Sequence, residues 1–302
     1  MKKIREKISK FFNSFIVIDS SVFGFIVCSY IAVQGLAGMI SLSLDLSIMT
    51  TSIIIYSAGV AFSILAFIFF KKKLYYDRFP KIRNKNMKIG KIISIYSVDF
   101  TIEMLCLGII TLLNSTILKK IGISIINSES SVLDEVMDKN AIVGILVIAV
   151  LAPIGEEIIF RGIGLGILEM YDKKSAIIIT SLLFGICHGS LLQSVSATIG
   201  GIVLGYVCLE YGLIYSILIH AINNLFVIAT SLIDNETIVM IILIAVCYLG
   251  VCVIYFKFKE FKKILELRKF DKKVFVRELL SPLFILTLLV HMMLIVEDFS
   301  FI

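Results

Sequence analysis

Residues 141–168 read AIVGILVIAVLAPIGEEIIFRGIGLGIL, and only Glu156, Glu157 and Arg161 in that stretch are charged. A helix of about 20 apolar residues covers the roughly 30 Å of a bilayer's hydrocarbon, so this run predicts a membrane span. Further apolar runs at residues 22–44, 49–70, 92–113, 175–188, 194–209, 213–232, 238–255 and 280–296 repeat the pattern. The 302-residue chain is 59% hydrophobic and 17% charged, with mean hydropathy +1.00. That leaves too little polar surface to cover a soluble core. The expected fold is therefore all-α, a polytopic transmembrane helical bundle of about 8–9 spans. Nothing divides residues 1–302, so one membrane domain is expected, with residues 141–232 as its functional core.

The net charge of +6 is explained by placement. Of 29 Lys and Arg, five lie in residues 2–10, nine in 71–91 and nine in 257–277. Basic loops stay in the cytoplasm, which predicts a cytoplasmic N-terminus and, with nine spans, an external C-terminus in the plasma membrane. These loops also favour anionic lipid headgroups. No soluble module exists to bind nucleic acid. Residues up to about 18 fit an interfacial helix with Phe11, Phe12 and Phe15 on its apolar side. A signal peptide does not fit, because Asp19 interrupts the apolar region and no cleavage site follows. The polar segment 127–140 falls outside the membrane in this scheme and has room for a short amphipathic helix. All six cysteines fall within apolar segments without metal-ligand spacing, and read as small buried hydrophobes.

Two segments depart from a plain span. Residues 175–188 make a helix of only about 21 Å, which is too short to cross and ends in His-Gly-Ser; its end should line a cavity inside the protein. The glycines at 200, 201 and 205 form a small-residue stripe suited to close helix contact.

Ionisable groups inside a membrane are costly, and each requires a reason. Glu157 and Arg161 are four apart, share a helix face and can pair. Glu156 points about 100° away, with no local cation, and an unpaired carboxylate there suits general base or acid chemistry. A purely structural ion-pair network is the competing reading, weakened because one Arg does not easily neutralise two carboxylates. His188 follows Phe184 by one turn and, taken alone, reads as a hydrogen-bonded core residue. His220 and Asn224 are four apart and could donate together to an oxyanion or clamp two helices. His291 has no comparable neighbours and reads as structural. Asp99 and Glu103, also four apart, read as a solvated or Lys-paired helix end near the basic loop 71–91, with substrate or ion contact as the alternative.

Glu156-Glu157-Ile-Ile-Phe-Arg161, Phe184-x-x-x-His188 and His220-x-x-x-Asn224 together resemble the three-motif pattern of the CAAX protease type II and bacterial Abi (CPBP) family. The resemblance covers roughly residues 141–232. It implies an intramembrane endopeptidase in which Glu156 and His188 activate water and His220 and Asn224 stabilise the oxyanion. Glu157, Arg161 and Phe184 would support the site. The substrate would be a peptide or protein in or near the membrane, lipidated or not: a CAAX-type C-terminus, or a bacteriocin or pheromone precursor, sometimes with an immunity role. Glu156, His188 and His220 could supply three ligands to zinc. Against zinc, a metal on both histidines would remove the oxyanion donors, so metal-free, glutamate-activated water is the preferred reading. The rivals are a non-catalytic immunity or scaffold protein and a proton-coupled transporter, the latter disfavoured because no inverted repeat is present.

Overall fold

The computed structural model describes residues 19–71, 86–121, 123–125, 140–266, 270–281, 285–289, 292 and 299–301. The chain is built from helices α1 (Asp19–Ser43), α2 (Ile48–Phe69) and α3 (Ile89–Leu113), then a long interrupted helix α4 (Ala141–Leu168). There follow α5 (Lys173–Ile186), α6 (Leu191–Tyr211), α7 (Leu213–Ser231), α8 (Glu236–Glu266) and α9 (Lys272–Leu279). Strand β1 (Ile123–Ile125) pairs antiparallel with β2 (Phe299–Phe301), a minor exception to the all-helical architecture. The protein is an integral membrane protein with a helical polytopic bundle.

Seven helices among the described residues are long and apolar enough to span: α1 to α4 and α6 to α8. This is fewer than the nine runs counted in the sequence, for two reasons. Helix α5 has only 14 residues. The run at 280–296 lies largely outside the described residues, apart from a helical piece at 285–289. Residues 1–18, including the expected interfacial helix, most of segment 127–140, and His291 also lie outside them. Helix α8 breaks its helical geometry at Lys257, where the basic block begins and the apolar span ends.

The bundle is inverted relative to a soluble protein. Leu36, Leu42, Leu65, Ile214, Tyr255 and Phe256 are exposed, as lipid-facing residues should be. Buried polar groups such as Ser63, Thr180, Ser181, Glu157 and Arg161 lie between helices instead. Phe23, Phe160, Ile163, Ile179, Leu183 and Phe184 form the apolar centre that joins α1, α4 and α5.

Helices α5 and α6 form an antiparallel hairpin, and the small-residue stripe explains why they pack so closely. A Cβ on Gly205 would stand 3.2 Å from Ile177, and one on Gly201 3.0 Å from Ser181. One on Gly185 would collide with Thr198 Oγ1 and Ser194 O. Asp172 starts the hairpin as N-cap, accepting from the Ser175 N–H at 2.7 Å. Gly189, at φ 73°, ends α5 in the left-handed region that favours glycine and turns the chain into α6.

Helix α4 is interrupted by two π-helical segments, Ile145–Leu151 and Ile158–Leu165, which flank the six residues Ala152–Glu157. Pro153 accounts for the first: it has no N–H to give and its ring crowds the preceding turn. The Ala152 N–H donates to Val147 O, the wider i−5 bond. Ile148 O then loses Ala152 as donor and gains none from Pro153. The site uses that orphaned carbonyl.

Candidate active site

Four elements bring the motif residues together. Helix α4 carries Glu156, Glu157 and Arg161, the tip of the α5–α6 hairpin carries His188, and α7 carries His220 and Asn224. Helix α3 supplies the opposite wall. Helices α3, α5, α6 and α7 line a cavity of about 570 Å³ that includes Phe184, His188, His220, Asn224, Asp99 and Glu103, whereas Glu156, Glu157 and Arg161 of α4 are not among its lining residues.

Glu157 is the hub. It is wholly buried, and its Oε1 accepts from Arg161 Nη1 at 2.6 Å, the i,i+4 pair expected from spacing. Ser216 Oγ donates to Oε2, and His220 Nδ1 lies 3.1 Å from Oε1. Arg161, 2% exposed, also donates through Nη2 to Gly201 O at 3.2 Å and stacks over the Phe184 ring at 4.2 Å. Gly201 is small because Arg161 is there: its Cβ would stand 3.0 Å from Nη2. Charge, hydrogen bonds and ring face together make this buried ion pair tolerable.

Glu156 has a different environment. Its side chain is 23% exposed, and it makes no hydrogen bond among the described residues. Its Oε2 lies 3.9 Å from His220 Nε2, which is beyond hydrogen-bond range but close enough for attraction. The sequence assigned it no local cation, and the ring of His220, from α7, is the group that approaches. The hydroxyls of Tyr30 and Tyr56 and the Cys187 thiol lie within its electrostatic reach.

The two histidines are held differently. His188 Nδ1 is 2.8 Å from Phe184 O. A carbonyl can only accept, so Nδ1 carries the proton and Nε2 presents a lone pair to the cavity. Phe184 packs edge-on against both rings, 4.9 Å from His188 and 5.6 Å from His220 between centroids. The aromatic in this motif thus spaces the two imidazoles and covers Arg161. Asn224 Nδ2 donates to Ile148 O at 2.8 Å, filling the vacancy that Pro153 creates. One proton of that amide remains to serve the cavity.

Asp99 and Glu103 are not a solvated or Lys-paired helix end. Each is 6% exposed, both line the cavity, and neither pairs with Lys or Arg among the described residues. Ser196 Oγ donates to Glu103 Oε2 at 3.0 Å.

Among the described residues no three His, Cys, Asp or Glu side chains are grouped as a metal-ligand set. Glu156 and His188 share no direct contact, and His220 Nδ1 is directed at Glu157.

Ser216, Tyr30 and Tyr56 escaped the sequence reading. Ser216 had a signal, since it precedes His220 by four residues, as His220 precedes Asn224. The tyrosines had none, because only the packing of α1 and α2 against α4 brings them close.

These features define a polytopic membrane protein with a polar site built on three motif-bearing elements inside the bundle. Residues 138–226, which contain all three motifs, match a family model described as type II CAAX prenyl endopeptidase Rce1-like. No curated protein and no solved structure matches the chain significantly. The family match supports a protease and spans α4 to α6 and most of α7, without α1 to α3 or α8.

Proposed function

We propose that the protein is an intramembrane endopeptidase cleaving a peptide bond of a membrane-associated peptide or protein with water activated by Glu156 and His188. The observation that carries this is the division of labour between adjacent glutamates. Glu157 is saturated by Arg161, Ser216 and His220, whereas Glu156 is partly exposed and free of hydrogen bonds among the described residues. His188 offers a lone pair from a fixed tautomer, so it can take a proton from water. The reading requires a water to join Glu156 on α4 to His188 at the hairpin tip, and catalytic contacts often tighten only with substrate bound.

Asn224 has an amide proton left for an oxyanion. With Nδ1–H donated to Glu157, His220 can donate from Nε2 only as the doubly protonated ring. Glu157 and Glu156 flank that ring at 3.1 and 3.9 Å.

Substrates of the CAAX, bacteriocin or pheromone type fit this chemistry equally. The basic blocks favour a plasma membrane placement with a cytoplasmic N-terminus and an external C-terminus, in contact with anionic lipid.

Peptide cleavage by purified wild type, Glu156→Ala and His188→Ala, with and without chelator, tests the proposal. Activity in wild type alone, unaffected by chelator, is expected. Equal turnover in all three proteins refutes it, and chelator loss reversed by zinc replaces glutamate-activated water with a metal mechanism.

A further inference from the structure

The cavity has an acidic wall that the proposed hydrolytic chemistry does not use. Asp99 and Glu103 lie one turn apart on α3, facing the same space as His188, His220 and Asn224. Gly200 on α6 makes room for both: a Cβ there would stand 2.8 Å from Glu103 Oε1 and 3.8 Å from Asp99 Oδ2. Glu103 has Ser196 as a donor, whereas Asp99 Oδ1 is buried without a hydrogen-bond partner among the described residues. Two carboxylates so deep in a membrane bundle require a compensating group. The nearby fixed cation, Arg161, is taken up by Glu157 and Gly201 O, across the Gly200–Gly201 ridge. Neither Arg161 nor the His220 ring, both engaged by Glu157, pairs directly with Asp99 or Glu103, so a cation entering the cavity would meet both carboxylates.

We propose that Asp99 and Glu103 form a subsite for a positively charged side chain, lysine or arginine, of the peptide substrate. This deepens the protease reading and rests on it: the preferred substrate is an apolar segment carrying one basic residue beside the scissile bond. The ammonium or guanidinium would sit against the carboxylates of Asp99 and Glu103 where they line the cavity. A neutral side chain would bring neither carboxylate a countercharge, and an acidic one would face two like charges.

The test uses the full-length chain in lipid nanodiscs, with Glu156→Gln to block turnover. Fluorescent alanine–leucine peptides, N-acetylated and C-amidated, carry a single lysine, norleucine or glutamate. Binding of the lysine peptide is expected to be roughly tenfold or more tighter than that of norleucine, with glutamate weakest. Asp99→Asn and Glu103→Gln should each shrink the preference, and together abolish it. Equal affinity for the three peptides overturns the subsite, and that comparison needs no substitution on α3. Cleavage of the same peptides by wild type separates the two ideas. Cutting without charge preference in binding sinks the subsite alone, whereas preference without cutting leaves the subsite standing and sinks the protease.

Discussion

Neutralising one glutamate at a time should give opposite signatures in two neighbouring residues. Glu157→Gln keeps an oxygen for Arg161 but removes the charge that balances a guanidinium 2% exposed. Removing one partner of a buried pair costs about 3–5 kcal/mol, and retention of some hydrogen bonds places this variant near the lower end, about 3 kcal/mol. At about 2–4 °C per kcal/mol, the melting temperature should fall by roughly 6–12 °C. Glu156→Gln alters a side chain 23% exposed, without a hydrogen bond among the described residues and 3.9 Å from His220. Its stability should stay within about 0.5 kcal/mol of wild type, while turnover falls by about 10²–10⁴ through loss of the base. The chain has no tryptophan but six free cysteines, so a thiol-reactive dye in a thermal ramp reports melting, beside a cleavage assay. An unchanged melting temperature in Glu157→Gln, or a larger drop in Glu156→Gln, would refute the assignment of holding and reacting roles.

Ser216→Ala removes one of three partners of Glu157 and should lower stability by about 1 kcal/mol, read as a small downward shift in the same thermal ramp. Gly185→Ala drives a methyl into Thr198 and Ser194 and should cost about 1–3 kcal/mol, whereas Gly90→Ala, with open space around it, should cost nothing in a parallel melt. Asn224→Ala orphans Ile148 O and should cost about 1–3 kcal/mol; Pro153→Ala restores a backbone N–H nearby, so the double variant should recover part of that stability. Cleavage should stay lost in that double variant, because the restored N–H is spent on the helix and not on the oxyanion.

Much of the site was legible because helical spacing is a strong rule. The Glu157–Arg161 pair, the shared face of His220 and Asn224, the short α5 with His188 beyond its end and the glycine stripe all follow from periodicity and length. What failed was depth. Asp99 was read as solvated because it lies near the basic loop in sequence, yet it stands ten residues into α3, about 15 Å along the axis. Nine apolar runs were visible and seven spanning helices result among the described residues, because a run's composition does not reveal where the chain turns back inside the bundle. The π segments of α4 were also invisible to a rule that assumes 3.6 residues per turn. Pro153 was the available clue.

That local break joins fold to chemistry. A regular α-helix would bond Ile148 O internally and leave Asn224 without an anchor on α4. With Pro153 in place, the carbonyl is released and Asn224 is drawn across from α7, one turn beyond His220, which already engages Glu157. Helix α7 is thus fastened to α4 at three successive turns by Ser216, His220 and Asn224, and each fastening is polar. Within a membrane such contacts do more than add stability, since no hydrophobic force drives one helix against another. They set the rotation of α4, and rotation decides which of two adjacent glutamates is sealed in the ion pair and which is left to react. In the proposed mechanism the identity of the reactive carboxylate is therefore a property of the α4–α7 contact as a whole, not of Glu156 alone.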